Sequence, residues 1–263
     1  MTSTRCLPYK VALTVTVLSL AASLPTPVLA SSPNAHVAPE TIVSDRFLMG
    51  KFSASKRNDF VRINKRYASR KGMYLQRLPY DAFQAMYADA KNSGISLKIL
   101  SASRSFYHQK SIWEAKWNGK RRVGGIRNIK RSIKSPTKRA LKILEYSSMP
   151  GSSRHHWGTD IDLNAFNNRY FERGQGKKVY AWLVKNAPRY GFCQPYTRKD
   201  ASRPHGYNEE KWHWSFKPLS SSYTQQAQHR LTDNIFKGFN GAKTATRIGI
   251  INRYVLGIHA NCH

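Results

Sequence analysis

The chain has 263 residues and a mass of 30.0 kDa, which is enough for one large domain or two small ones. Its composition, 40% hydrophobic and 12% aromatic, predicts a buried core and argues against an intrinsically disordered chain. A mean hydropathy of -0.57, with one apolar run at the N-terminus, excludes a polytopic membrane protein. The 44 Lys and Arg residues against 14 Asp and Glu give a net charge of +30. This excess predicts a polyanionic neighbourhood: nucleic acid, an anionic membrane surface or an acidic polymer of the cell envelope.

Residues 1–30 have the pattern of a secretory signal peptide. Arg5 and Lys10 are basic, residues 11–20 are apolar and uncharged, and the segment ends on the small Ala30. The apolar core is too short to span a bilayer comfortably, so a cleaved signal is favoured over a membrane anchor. We therefore expect a secreted or periplasmic, cell-wall-associated protein. Its basic face would meet an anionic wall or membrane surface, and nucleic acid would not be its physiological partner.

Three cysteines become two when Cys6 leaves with the signal peptide. An even pair in an oxidising compartment favours a disulfide between Cys193 and Cys262, which would tie the C-terminal tail to the domain. The alternative is a pair of buried free thiols. Metal binding by either cysteine is disfavoured, because neither has a second Cys or a His at ligand spacing.

Hydrophobic periodicity predicts helices interspersed with short strands. Residues 31–74 are expected to form a linker and a basic arm, as a short helix or an extended segment. Helices are expected at 81–92, 105–116, 137–146, 179–187 and 223–239, strands at 95–102, 161–163 and 211–216, a loop at 118–136, and a last apolar stretch at 248–258. Pro79 and Gly94 mark the ends of the first helix, and Pro188 ends the fourth. Since the spacing is not that of βαβ units, we expect an α+β fold around a small antiparallel sheet.

Acidic residues are scarce, and several of them cluster with histidines in residues 153–162 and 209–214. Two His and one carboxylate with an open fourth position form the usual ligand set of a catalytic zinc. A further carboxylate that does not bind the metal is needed to take a proton from water. On an extended strand, Trp212 and Trp214 would share one face and His213 the other. Gly158 would allow a sharp turn that brings His155 and Asp162 together.

These segments resemble a known family. Ser-x-His-x-x-Gly-x-Asp-x-Asp, from Ser153 to Asp162, followed by Glu-x-Trp-His, from Glu210 to His213, is similar to the signature of zinc D-alanyl-D-alanine carboxypeptidases and dipeptidases of the vancomycin-resistance type. That group is related in fold to the hedgehog amino-terminal domain and to lysostaphin-type peptidases. Residues 101–106, with Gln109 following, resemble the family's Ser-x-x-Arg-Ser segment. The matches span about residues 75–218, which leaves residues 219–263 as a C-terminal helical extension that packs on the zinc peptidase domain.

The resemblance implies an α+β fold with a zinc site on the sheet and one zinc per chain. It also implies a role for each matching residue. The zinc ligands would be His155, Asp162 and His213, and Glu210 would be the general base and then the general acid. Arg104 would bind the carbonyl oxygen or the substrate carboxylate and stabilise the tetrahedral intermediate. Ser153 would bind the substrate or orient a ligand, and Gln109 and Trp214 would contact the substrate. Family members often carry a small apolar residue at the position of Asp160. A carboxylate there implies a partner that orients a ligating histidine rather than a ligand itself.

The leading hypothesis is a zinc peptidase that removes the terminal D-alanine from peptidoglycan stem peptides. Cleavage as an endopeptidase or a dipeptidase is an alternative within the same class. A non-catalytic wall-binding module and a nucleic-acid binder are alternatives from other classes. At single positions, His156 competes with His155 as a ligand, Trp113 and Trp117 are expected to pack in the core, His205 could line the pocket or a loop, and Glu209 is expected to be a solvated neighbour of the base.

Overall fold

The computed structural model describes residues 1–2 and 42–263. Most of the predicted signal peptide, Cys6 and the first part of the predicted linker lie outside the described residues. Residues 42–263 belong to one compact unit. Within the described residues, every helix is too short or too polar to cross a bilayer.

The described chain contains eight α-helices and six β-strands. The helices are Asp45–Leu48 (α1), Arg77–Asn92 (α2), Phe106–Trp117 (α3), Ile129–Ser132 (α4), Pro136–Ile143 (α5), Gly174–Asn186 (α6), Lys217–Arg230 (α7) and Ala245–Ile248 (α8). The strands are Phe60–Arg62 (β1), Tyr74–Gln76 (β2), Ile99–Ser101 (β3), Asp160–Leu163 (β4), Phe192–Cys193 (β5) and His213–Phe216 (β6). The fold is therefore α+β with small antiparallel sheets among helices, which confirms the expected class.

Several predicted boundaries are wrong, and prolines explain two of them. Pro79 lies inside the first turn of α2 and Pro218 inside the first turn of α7, so both helices begin earlier than expected. The first N–H groups of a helix have no partner within it, so proline is tolerated there. The strand expected at 95–102 is confined to β3, the helix expected at 223–239 ends at Arg230, and the loop expected at 118–136 contains α4, which the Asn128 side chain caps.

A four-stranded antiparallel sheet in the order β3-β4-β6-β5 positions the site. In the register of β4 and β6, Asp160 pairs with Ser215 and Asp162 with His213. Successive side chains on a strand point to opposite faces, so these four polar residues share one face of the sheet. Their neighbours along the strands, such as Trp214, join an apolar cluster with α2 and α6 on the other face. Both faces are covered, and every residue of β4 and β6 is buried.

A second apolar cluster joins segments from both ends of the described chain. Phe47 of α1, Trp157, Tyr223 of α7 and Ile251 belong to the same buried cluster. The Trp157 indole donates a hydrogen bond to the carbonyl oxygen of Leu48 at 3.0 Å. The expected core roles of Trp113 and Trp117 agree with this structure, since both lie in this cluster.

Gly158 makes the turn between the 3-10 helix Arg154–Trp157 and β4. Its φ of +70° lies in the left-handed region that favours glycine. The backbone also passes close to its neighbours, because the Gln76 amide donates to the Gly158 carbonyl at 3.0 Å and a Cβ at 158 would overlap the Phe60 ring. The turn therefore requires glycine for both conformation and space.

We predict that Gly158→Ala destabilises the protein by about 3 kcal/mol or more, since backbone strain and overpacking add. Gly72→Ala is the matched control, because Gly72 has a φ of +80° but a Cβ at 72 would meet no other atom within 4 Å. It should cost only about 1 kcal/mol. Urea unfolding of both variants measures the difference. Equal losses would contradict the packing argument.

The sulfur atoms of Cys193 and Cys262 lie at bonding distance, with their Cα atoms 5.7 Å apart. Cys193 is in β5, and Cys262 is fully buried near the C-terminus. The two are separated by 69 positions, so a bond between them would close a long loop. The geometry fits the sequence prediction that the tail is tied to the sheet.

We predict that the purified protein contains this disulfide. Alkylation of denatured protein should modify Cys193 and Cys262 only after reduction. The intact mass of the reduced protein before alkylation should exceed that of the untreated protein by two hydrogens. Loss of the bond should destabilise the fold by about 4 kcal/mol in the chain-entropy description. Two thiols that react without reductant would refute the prediction.

Candidate active site

His155, Asp162 and His213 form a buried cluster, the metal group, that could hold a metal ion. One ligand atom from each lies within 4.8 Å of the others. The His155 Nε2 is 3.2 Å from Asp162 Oδ2, and the His213 Nδ1 is 3.3 Å from Asp162 Oδ1. The three side chains come from the turn before Gly158, from β4 and from the first residue of β6. The strand register and the glycine turn thus bring together the ligand set expected from the sequence.

The hydrogen bonds of this group suit a cation. Each imidazole has one nitrogen fixed by the protein: His155 Nδ1 by the Ala102 carbonyl at 2.9 Å, and His213 Nε2 by Asp160 Oδ2 at 2.8 Å. The other nitrogens face Asp162. Buried polar atoms normally have hydrogen-bond partners, yet His155 Nε2 and Asp162 Oδ1 have none. Two imidazoles and a carboxylate with unsatisfied atoms that converge in this way fit a zinc ion.

Asp160 is held between the metal group and a buried arginine. Besides its contact with His213, it receives hydrogen bonds on Oδ1 from Thr159 at 2.6 Å and Ser215 at 2.8 Å. The Arg154 Nε donates to its Oδ2 at 3.2 Å. Burial alone would raise the pKa of Asp160, but Arg154 and His213 hold it below its usual range. The carboxylate is therefore ionised and able to fix the orientation of the His213 ring.

Arg154 is a residue that the sequence analysis missed. Its side chain is fully buried, and its other two nitrogens donate to Thr224 Oγ1 at 2.8 Å and Ser215 Oγ at 2.9 Å. It occupies a variable position of the motif between Ser153 and His155. The carboxylate at 160, where the resembling family often has a small apolar residue, is the sequence feature that could have indicated a buried cation nearby.

His156, the competing ligand, is committed to the backbone. Its Nδ1 lies 2.6 Å from the Arg104 carbonyl oxygen, and its Nε2 accepts from the Gly151 amide at 3.1 Å. Burial lowers the pKa of His156 to about 3, so the ring is neutral. The side chain thus supports the segment that carries Arg104 and is not part of the metal group.

Glu210 lies directly beside the metal group. Its Oε2 is 3.2 Å from His213 Nδ1, and the residue belongs to the turn before β6. Burial raises the pKa of Glu210 above its usual value, although His213 opposes the shift. A carboxylate with a raised pKa is suited to taking and returning a proton near neutral pH. The Glu209 side chain instead approaches Lys211 at 3.9 Å and does not line the same cavity in the described structure.

Glu210 and the metal group line a cavity of about 630 Å³. Three further predicted residues line it, and each has a buried polar atom without a hydrogen-bond partner: Arg104 Nε, Gln109 Oε1 and Ser153 Oγ. The other end of the Gln109 amide is fixed, because Nε2 donates to the Ser148 carbonyl at 2.7 Å. Unsatisfied donors and acceptors that face one cavity are available to a polar ligand.

Two predicted pocket residues lie elsewhere. Trp214 is only 2% exposed and packs in the apolar cluster on the opposite face of the sheet from His213, so the expected substrate contact is corrected to a core role. Strand alternation is the physical reason, since neighbouring residues cannot share a face. His205 is exposed and does not line this cavity in the described structure.

Comparison with known proteins identifies the family. The model of the VanY family, D-alanyl-D-alanine carboxypeptidase, matches residues 72–219. A protein of Haemophilus influenzae is 29% identical over 103 residues, which are 34% of this chain and 76% of that protein. The Bacillus subtilis protein named "Putative carboxypeptidase YodJ" is 26% identical over 148 residues, 53% of this chain and 45% of that protein, so the chain spans less than half of its length.

Among solved structures, that of VanYB in complex with D-alanine-D-alanine has a TM-score of 0.48 and 20% identity, and the match covers 67% of this chain and 87% of that one. The LdcB LD-carboxypeptidase structure has a TM-score of 0.46 and 24% identity, with 66% of this chain and 74% of that one covered. The family match covers more than half of the sequence and contains the whole candidate site. The chain therefore belongs to the VanY family of D-alanyl-D-alanine carboxypeptidases and is an enzyme.

Proposed function

We propose that the protein is a secreted D-alanyl-D-alanine carboxypeptidase that removes the terminal D-alanine from peptidoglycan stem peptides. The observation that carries this proposal is the convergence of unsatisfied buried polar atoms on one cavity beside Glu210 and the His155-Asp162-His213 group. A wall-binding module would need no buried carboxylate with a raised pKa next to a metal group. The signal-peptide pattern of residues 1–30 supports action outside the cytoplasm.

His155, Asp162 and His213 would hold one zinc ion. When bound, zinc would supply Lewis-acid polarisation of the scissile carbonyl and of water. The protein's own contribution is to fix the ligands beforehand. The contacts of His155 with the Ala102 carbonyl and of His213 with Asp160 support this role, because partners of this kind set the tautomer and the ring orientation.

Glu210 would be the proton carrier of the reaction. In its ionised form it would accept a proton from the attacking water, and it would then deliver that proton to the leaving amine of D-alanine. Its burial supports both steps, since a carboxyl group with a raised pKa holds the proton more readily than a solvated one.

Arg104 would bind the oxyanion of the scissile carbonyl or the carboxylate of the terminal residue. Its buried Nε lacks a partner, and its backbone is held by two contacts: its amide donates to the His155 carbonyl at 3.0 Å, and its carbonyl oxygen meets His156. A guanidinium fixed in this way is preorganised for an anion. Ser153 Oγ and Gln109 Oε1 would complete the polar contacts to the peptide.

We propose that residues 75–218 form the zinc peptidase domain and residues 219–263 an extension of it. Residues 42–74, which the sequence assigned to a linker and basic arm, instead pack with this domain, because Phe47 and Phe60 lie in the buried core and β1 pairs with β2. The basic excess of the chain supports attraction to an anionic wall or membrane surface.

The metal assignment predicts about one zinc per chain. His155→Ala, Asp162→Ala and His213→Ala should each lose it, because two protein ligands hold a zinc ion weakly. His205→Ala is the matched control: it removes an exposed histidine and should keep the metal. Metal analysis together with circular dichroism separates loss of zinc from loss of fold. Unchanged stoichiometry in all three ligand variants would refute the assignment.

The base assignment predicts that Glu210→Gln keeps zinc and fold but lowers kcat by about 100-fold to 10,000-fold, because the amide cannot accept the proton. Mass spectrometry of stem pentapeptide incubated with zinc-loaded protein measures the released D-alanine. Glu209→Gln is the control and should change the rate little. An active Glu210→Gln beside an inactive Glu209→Gln would show that the other carboxylate is the base. Hydrolysis of free D-alanyl-D-alanine, or of cross-linked stem peptides, with the pentapeptide left intact would instead identify a dipeptidase or an endopeptidase.

A further inference from the structure

One side of the active-site cavity carries cations that the proposed reaction does not use. Lys116, in the last turn of α3, and Arg121, four residues after α3 ends, line the same cavity as Arg104. Lys116 is half-buried and donates to the Ser147 hydroxyl, whereas Arg121 is exposed. The cavity therefore has a second positive region at the end of α3.

The two cations of this region have no carboxylate in direct contact in the described structure. Within residues 42–263, neither Lys116 nor Arg121 forms an ion pair with a carboxylate. The acidic residues that line the described cavity are Asp162 and Glu210, both beside the metal group. Burial lowers the pKa of Lys116 to about 8, the nearby Arg121 and Arg104 add to this shift, and Glu210 opposes it. Like charges held together in a partly buried cleft generate a positive potential that favours a bound anion.

The position of Lys116 separates this region from Arg104. Gln109, Ile112 and Lys116 all line the cavity from α3, and their spacing of three and four residues places them on one helix face. At 1.5 Å per residue, Lys116 lies about 10 Å along α3 from Gln109. Two residues of an extended peptide cover about 7 Å of that distance, and the side chain of the inner residue covers the rest. An anion at Lys116 would thus belong to a different residue of the substrate from the one whose terminal carboxylate meets Arg104.

We propose that Lys116 and Arg121 form a second anion subsite, which binds a side-chain carboxylate of the stem-peptide residue that precedes the terminal pair. This inference rests on the proposed function and specifies its substrate class. The preferred substrate is an acidic stem peptide whose residue before the terminal pair carries a free carboxylate. The corresponding carboxamide leaves the two cations without a counter-charge and binds less well.

The test uses two synthetic pentapeptides that end in D-alanyl-D-alanine after a diaminopimelyl residue. One has the free side-chain carboxylate of that residue, and the other has its carboxamide. With the zinc-loaded protein, kcat/KM should favour the free carboxylate by about 10-fold or more, because hydrogen bonds to charged groups exceed neutral ones. In Lys116→Gln and in Arg121→Gln this ratio should fall towards one. The two changes, one in the peptide and one in the protein, should be non-additive.

Arg122→Gln is the matched control. Arg122 is the exposed neighbour of Arg121, does not line the described cavity, and its replacement lowers the net charge by the same amount. It should keep the preference of the unaltered protein, which separates a local subsite from general attraction by the basic surface. Arg121 is exposed, so Arg121→Gln tests the subsite even if Lys116→Gln folds poorly.

Binding provides a second measurement that does not need turnover. Calorimetric titration of the zinc-loaded Glu210→Gln protein with the same two peptides should show the same preference, and adding Lys116→Gln should remove it. Equal affinity for both peptides, or an equal loss on both peptides in the Lys116 and Arg121 variants, would overturn the subsite. If the unaltered protein cleaves neither peptide, the proposed function fails. The subsite then stands only if the Lys116-dependent preference is present in the titration.

Discussion

The site depends on the Asp160 carboxylate, which is fully buried between a cation and a candidate metal ligand. Arg154, Thr159 and Ser215 donate hydrogen bonds to it, and His213 Nε2 lies 2.8 Å from its Oδ2. Removing one partner of such a buried ion pair costs about 3–5 kcal/mol, because the other charge stays uncompensated. The arrangement therefore fixes the ring of His213 with its Nδ1 towards Asp162 and Glu210.

This interaction also explains why the C-terminal part of the chain matters for the site. Arg154 Nη1 donates to Thr224 Oγ1 in α7, and Ser215 Oγ contacts both Asp160 and Ser220 Oγ of the same helix. The polar groups that satisfy the buried guanidinium are thus shared between β6 and α7. Because an unsatisfied buried charge is costly, the position of α7 is coupled to the geometry of the metal group.

The sequence predicted the parts of the structure that depend on local pattern. Strand alternation placed His213 and Trp214 on opposite faces, and the glycine at 158 predicted the turn before β4. Trp212, expected on the same face as Trp214, precedes β6 and lines the cavity together with His213. Arg154 could not be found in this way, because its partners Ser215 and Thr224 lie 61 and 70 positions away and are brought near only by the fold. Resemblance to a motif placed Trp214 in the pocket, although the alternation that oriented His213 already pointed it into the core. The first residues of α2 and α7 could not be predicted from the sequence, because proline is equally compatible with the position before a helix and with its first turn.

The charges at positions 154 and 160 constrain each other. An apolar residue in place of Asp160 alone would leave the Arg154 guanidinium, with 0% of its side chain exposed, without an anion. An apolar residue in place of Arg154 alone would leave the buried Asp160 carboxylate without its cation. The site already holds the carboxylates of Asp162 and Glu210, so this change would add an uncompensated negative charge. Either change separately disturbs the metal group, whereas replacement of both by residues of similar volume removes two charges and restores neutrality. Positions 154 and 160 are therefore coupled in this chain, and the buried ion pair occupies space that two apolar residues of similar volume could fill.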